Sequence, residues 1–406
     1  MPKKLVVICF INFLVAALMG LALRFSFLES IGVNYRFLTH AHSHVAMLGW
    51  VYLLLFTLFV HYFTNDKPKV FNRLFWLTEF AVIGMMVSFP LQGYAAISIS
   101  FSTLHILCSY YFAYLIWKYH KTNSSVTQKL LKTALLFMVI STLGVWCLGP
   151  IVSTLGSTSA FYHIAIQFFL HFQFNGWFLI AVLAVFFYLL KVENSRVFKQ
   201  FFNLLIMSTL LTMALPIQWY APHKGLLWLN GFGVILQVVA LYKFFQLIKP
   251  RLNVLVAVKS KLTTYMFSFA LGCLVLKIVF QFLSVLPEFA EVVHNHHNFV
   301  IGFIHLLMLG VISGFLFAFI LKSDLINASK SLSIGIYCFL LGFVLTELLL
   351  LIQGVMFYFG IGLLSNYYLL LFLFSIFLPL GIGFILFNIM KNKTEKLNHK
   401  NDTLYF

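Results

Sequence analysis

The feature that most limits what this chain can fold into is a recurring apolar run, separated from the next by short polar connections. A helix rising about 1.5 Å per residue needs roughly 20 apolar residues to cross the ~30 Å hydrocarbon core of a bilayer. Twelve runs approach or exceed that length, over residues 5–23, 38–62, 71–90, 95–117, 130–149, 161–190, 201–219, 226–248, 262–286, 297–321, 332–358 and 366–390. In hydrocarbon each backbone N–H and C=O must be paired internally, so these runs are read as helices. The predicted fold class is all-α, a polytopic integral membrane bundle of about 12 transmembrane helices forming one membrane domain over 1–406. Composition agrees, with 62% hydrophobic and 9% charged residues, where a soluble domain has roughly 45–50% and 25%. The first run follows Lys3 and Lys4 as a signal peptide would, but it is long and lacks a small-residue cleavage site. No soluble domain, low-complexity segment, long linker or internal repeat is evident.

A formal charge of +17 would suit nucleic-acid binding if it were gathered on one surface. It is distributed by connection instead. Lys67, Lys69 and Arg73 follow span two; Lys118, Lys121, Lys129 and Lys132 follow span four; Lys191, Arg196 and Lys199 follow span six. Lys249, Arg251, Lys259 and Lys261 follow span eight, in the short basic loop from Asn253 to Lys261 and just before it; Lys322 and Lys330 follow span ten. Lys391, Lys393, Lys396 and Lys400 make the tail. The intervening connections hold only the cations Arg24, Arg36 and Lys224, besides the acids Glu29, Glu288 and Glu291. By the positive-inside rule both termini are expected in the cytoplasm, with the basic loops near anionic lipid. The expected partner is the lipid bilayer, and no nucleic acid is needed. Cys9, Cys108, Cys147, Cys273 and Cys338 stand singly in apolar runs and suggest neither a disulfide framework nor a zinc ribbon.

The histidines are where function is expected. His40, His42 and His44 open span two, His105 lies about ten residues into span four, and His163 and His171 lie in the first half of span six. His294, His296, His297 and His305 begin or enter span ten, whereas the odd-numbered spans contain none. An apolar span has no generic use for so many imidazoles, so metal or haem ligation in the outer half of the bundle is the leading reading. At about 100° per residue, His40 and His44 share a face, His42 points nearly the opposite way, and His294, His297 and His305 share another. A haem iron takes one axial imidazole from each side, so the preferred pair is His42 or His44 with His294, His296 or His297. His61, His120, His223 and His399 lie at ends, in a loop or in the tail, and are read as packing or headgroup residues.

Other polar residues in the runs are costly when charged. Lys277 in span nine and Glu347 in span eleven are the clearest, and each is expected to neutralise a haem propionate, transfer protons or pair with the other. Gln173, Asn175 and Gln281 are placed to hydrogen-bond ligands, and Glu288 and Glu291 to accept an imidazole N–H or a proton. The many Phe and Trp residues are read as lipid-facing and belt material.

Twelve spans with histidines on two, six and ten resemble the catalytic subunit of the haem–copper oxidase and nitric oxide reductase superfamily. The resemblance implies that one of His40, His42 or His44, with His296 or His297, holds a haem of b type, and that His163 or His171 ligates copper or another transition metal. The segments His42 to Trp50 and His297 to Gly314 are also similar to those of NnrS-type haem- and copper-containing membrane proteins of nitric oxide response. Two departures stand out: Phe201 to Trp219 holds no histidine pair, and span six lacks the tyrosine that follows the metal ligand in the oxidases. A complete binuclear oxygen-reducing centre is therefore not expected. What the resemblance implies is a haem protein of a prokaryotic inner (plasma) membrane, binding nitric oxide or oxygen, with electrons from a donor protein or partner subunit. If it is an enzyme, it is an oxidoreductase. The other expectation is a transporter of a metal ion, haem or a small solute, using the histidines, Lys277 and Glu347 as a transient or proton-relay path, although no inverted repeat or pair of broken helices marks it.

Overall fold

A computed structural model describes residues 2–64, 69–252, 260–323, 325–326 and 329–402, with side chains to 391. Lys67, Lys259 and most of the basic loop from Asn253 lie outside the described residues. Among the described residues there is no strand, and twelve helical spans are long and apolar enough to cross a membrane. They run Lys3–Phe25, Tyr35–Phe63, Lys69–Gln92, Ala96–Tyr119, Ser125–Leu155, Ala160–Leu189, Arg196–Gln218, Lys224–Arg251, Lys261–Leu283, His297–Lys322, Lys330–Tyr358 and Tyr367–Lys391. We number these spans one to twelve.

The boundaries follow local chemistry. The first N–H groups of a helix have no intrahelical partner, and a short polar side chain just before it supplies one. Asn34, Ser124, Ser159, Ser195 and Ser329 do so for spans two, five, six, seven and eleven, accepting from Phe37, Thr127, Tyr162, Phe198 and Leu332. His223 caps span eight by accepting from the Gly225 N–H. Breaks follow proline. Span seven is interrupted at Thr212 and Met213, before Pro216, and span twelve at Ile376, before Pro379, since neither ring can donate to the carbonyl four residues back.

Spans two, six and ten differ from the others in two ways. Over an 18-residue apolar stretch of each, 83%, 89% and 78% of the residues are buried, against 33 to 50% for the other nine spans. Each also widens into a π-helical segment, Val45–Tyr52, Phe172–Phe178 and Leu306–Ser313. The residue immediately before each is a histidine, His44, His171 or His305, and the fifth after that histidine is a glycine, Gly49, Gly176 or Gly310. The second span of each successive group of four therefore carries the same His-x4-Gly turn. This repeat is absent from the apolar periodicity, because the flanking apolar residues differ freely while the backbone does not. Wide turns of this kind favour functional positions, since they break the regular ladder and re-aim side chains.

The chain forms two compact units. The first comprises Met1–Ile116, Lys259–Tyr265 and Leu316–Phe406. Its interior is aromatic: Trp50 stacks on Phe13 at 4.4 Å and meets the edge of Phe10 at 4.9 Å, and Phe317 lies 5.8 Å from Phe10 and 4.9 Å from Phe339. The second comprises Trp117–Val258 and Met266–Phe315. There Phe186 lies 5.0 Å from Phe315 and 5.5 Å from Phe267, while Phe187 stacks on Phe244 at 5.8 Å. Such pairs contribute about 0.5–1.5 kcal/mol each beyond area burial. Many phenylalanines expected to face lipid are thus core residues, buried because bulky rings fill the gaps between helices.

Glycine permits a backbone-to-backbone helix contact in the first unit. A Cβ on Gly381 would stand 2.6 Å from the Phe339 nitrogen and 2.7 Å from the Gly335 carbonyl oxygen, so spans eleven and twelve meet backbone to backbone. Gly383, two residues on, has open space around it. Gly381→Ala is expected to destabilise the protein by about 1–3 kcal/mol, as overpacking does, and Gly383→Ala to leave it unchanged. Thermal unfolding of the two variants in the same detergent measures the contrast.

Candidate functional site

In the first unit the histidines of span two separate onto two faces, as their spacing predicts. The His42 Nδ1 lies 2.8 Å from the Ala16 carbonyl oxygen of span one, and its ring covers Gly20, where a Cβ would stand 2.9 Å from His42 Cε1. His40 and His44 face the other way. Their rings lie 4.6 and 6.0 Å from Tyr94, and the His44 ring sits 4.4 Å from Phe89 of span three. His44 Nδ1 is 2.8 Å from the His40 carbonyl oxygen, and the Tyr94 hydroxyl stands 3.5 Å from its Nε2. His105 of span four is within electrostatic range of His44, packs edge-on to Tyr52 at 4.7 Å, and buries an Nε2 with no hydrogen-bond partner. His44 and His105, far apart in the chain, are thus electrostatic neighbours.

In the second unit His171 is buried and its Nε2 lies 2.8 Å from the Thr209 carbonyl oxygen of span seven. His163 stacks on Tyr220 at 4.9 Å, and His294 packs on the same turn, 5.4 Å from Trp219 and edge-on to Tyr220 at 5.6 Å. His163 and His294 therefore flank one aromatic ring. His294, however, shares no face with His297 and His305. It ends a short helix, Pro287–Asn295, that a composition reading misses, and the chain turns extended at His296 (φ −111°, ψ 97°) before span ten starts at His297. His294 and His297 are exposed and His296 half-buried. Glu288 and Glu291 are exposed on the same short helix, and the His294 ring is turned to the aromatic turn of span seven.

A backbone carbonyl only accepts, so the ring nitrogen against it carries the hydrogen. Nδ1 is then the N–H of His42 and His44, and Nε2 that of His171. In the neutral ring the remaining nitrogen of each holds the lone pair. This is how metal-ligating imidazoles are commonly fixed, one nitrogen tied to a carbonyl and the other presented. Among the described residues no three of His, Cys, Asp and Glu are placed to share an ion. His105, His163, His171 and His305 thus do not converge on a preformed three-ligand site.

The interior charges have the following surroundings within each unit. Lys277 is fully buried, its Nζ has no hydrogen-bond partner, and its electrostatic neighbour is His171. Glu347 is in range of Arg24 in the first unit. Lys277 belongs to the second unit. Gln173 accepts from the Ser141 hydroxyl at 2.9 Å, which ties it to span five, whereas Asn175 Oδ1 and Gln281 Oε1 are buried without partners. His120 bridges Trp117 and Gln128 at the surface, in keeping with a bland role. One buried acid was missed. Glu79 of span three accepts a 2.8 Å bond from Asn12 Nδ2, which also reaches the Gly49 carbonyl at 3.1 Å. A carboxylate inside an apolar run, Leu77 to Val82, is the signal that could have found it.

Compared with known proteins, the chain matches no family model and no curated protein.

The packing of the wide turn of span six against span five depends on its glycine. A Cβ on Gly176 would lie 2.7 Å from both Cβ and Cγ of Phe137, a buried ring of span five. Gly176→Ala is expected to lower stability by about 1–3 kcal/mol, and Phe137→Leu in the same chain to recover part of that loss. A double-mutant cycle on the unfolding midpoint measures the coupling, and additive losses would mean the two do not touch.

Proposed function

We propose that the protein is a haem-binding integral membrane protein of redox or diatomic-gas chemistry, with its ligands among the histidines at the heads of spans two and ten. The observation that carries this reading is the pairing of histidine with a wide turn in the most buried spans, together with ring N–H groups of His42, His44 and His171 committed to backbone carbonyls. A haem suits these residues better than a bare ion does. The porphyrin supplies four ligands, so the protein need contribute only one or two imidazoles per iron, and three side chains need not converge. When bound, haem iron supplies a redox couple and a position for nitric oxide or oxygen. Copper at His105, His163, His171 or His305 is a further part of the proposal.

The residues of the chain do the holding. Backbone carbonyls of Ala16 and His40 fix the ring planes of His42 and His44, and Gly20 leaves room for the His42 ring. Buried polar atoms without partners, among them His105 Nε2 and Lys277 Nζ, are the groups that a bound polar or metal-bearing ligand would satisfy. The orientation with both termini in the cytoplasm, in a prokaryotic inner membrane, belongs to the same proposal and rests on the placement of Lys and Arg. The second reading, a transporter, is favoured by one observation: titratable groups at Glu79, Lys277 and Glu347 inside the spans, where they commonly mark ion or proton paths.

The optical spectrum of the membrane-purified protein, oxidised and then reduced, with metal analysis of the same sample, tests the proposal. A Soret band that shifts on reduction is expected, with loss of the band on changing His42, His44, His296 or His297. A folded preparation without colour or stoichiometric metal would sink it in favour of transport, to be measured as uptake into proteoliposomes.

A further inference from the structure

Glu79 occupies a position that the histidine reading leaves unexplained. It is 5% exposed, in the interior of the first unit, on a span whose other buried residues are uncharged. Among the described residues no cation lies against it, and its hydrogen-bond partner is the neutral amide of Asn12, itself 1% exposed. An ionised carboxylate in that setting lacks both water and a counter-ion and is disfavoured. The Asn12 amide commits its two hydrogens to Glu79 Oε2 and to the Gly49 carbonyl oxygen in the wide turn behind His44. Gly49 is fitted to this contact, since a Cβ there would stand 3.0 Å from Asn12 Cβ and 2.9 Å from Val82 Cγ1. The wide turn itself does not require the arrangement. At the equivalent glycine of span six, Gly176, the place of Asn12 is taken by the ring of Phe137.

Further polar groups lie near Glu79 and its chain neighbour Thr78. The Cys9 thiol of span one is in electrostatic range of the carboxyl and in hydrogen-bond contact with Thr57 of span two. Next to Glu79 in span three, Thr78 is in hydrogen-bond contact with Cys108 of span four. The titratable group within electrostatic range of this acid is thus Cys9.

We propose that Glu79 is a proton-exchanging site, whose carboxyl takes up and releases a proton inside the first unit while Asn12 couples its charge to the turn that begins at His44. The step is proton binding alone. Oε2 remains the acceptor of the Asn12 amide, Oε1 gains or loses the hydrogen, the proton comes from and returns to the aqueous phase, and no electron moves at this residue. The proposal rests on the haem reading only for what drives the exchange in use, a change of charge at the histidine turn. Either a redox centre or a transported ion would supply one.

Infrared difference spectroscopy on the full-length protein in detergent tests it, between high and low pH and, in the same sample, between oxidised and reduced states. Wild type is expected to give a carboxylic C=O band that responds to pH and shifts in deuterium oxide. Glu79→Gln retains an oxygen to accept the Asn12 bond and so preserves the junction, and it is expected to lose the band completely. Asn12→Ala is expected to keep the band at a shifted frequency, which serves if the glutamine variant does not fold. A band that is missing from wild type, that survives in Glu79→Gln, or that ignores both pH and reduction overturns the proposal, the last by making Glu79 a fixed hydrogen-bonded acid. Failure of the haem reading is registered separately, as missing haem absorbance, and leaves the pH comparison intact.

Discussion

The rest of the structure depends on one requirement, that polar groups placed in hydrocarbon find partners within the protein. For the backbone this produces helices. For the histidines it produces the bonds from ring N–H to main-chain carbonyl at His42, His44 and His171, each of which fixes a tautomer as well as a ring plane. A water-exposed imidazole would choose between tautomers freely, whereas these present a defined nitrogen. The same requirement explains why the second span of each group of four is the most buried. The spans that carry polar side chains and wide turns are the ones that must be kept from lipid.

Much of the fold was legible in the sequence because the bilayer imposes a length and a composition that few other structures share. Predicted and observed spans agree within a few residues for most of the chain, and the opposed directions of His42 and His44 follow from helical geometry alone. What was not legible depends on neighbours or on departures from regular helix. The extended residue at His296 separates His294 from His297 and His305, and nothing in the apolar pattern marks that break. The His-x4-Gly turn was present in the sequence, but a glycine in an apolar run has several uses, and only the backbone assigns this one. Lys277 and Glu347 are conspicuous in the sequence because both are interior and charged, but their surroundings are not. Their neighbours proved to be His171 and Arg24, a matter of packing that composition does not contain.

The candidate site was legible as a set of residues and not as an arrangement. Imidazoles in an apolar span are conspicuous by type, so the histidines of spans two, four, six and ten could be named. That His105 is an electrostatic neighbour of His44, or that His163 and His294 flank Tyr220, required the packing of the spans. Glu79 was overlooked because one acid in a long apolar run reads as tolerated noise until its partner, Asn12, is seen on another span.

The wide turns carry a geometric consequence for the spans that contain them. Each is equivalent to one residue inserted into an α-helix, and one residue is about 100° of rotation. Span two is therefore two helical wheels with different phases, joined near Gly49, and no single projection from Tyr35 to Phe63 describes it. The face that presents His40 and His44 before the turn does not continue as the face that presents Thr57 after it. A helix so divided can address one set of neighbours over its first half and another over its second. A single regular stripe of contact residues could not do both.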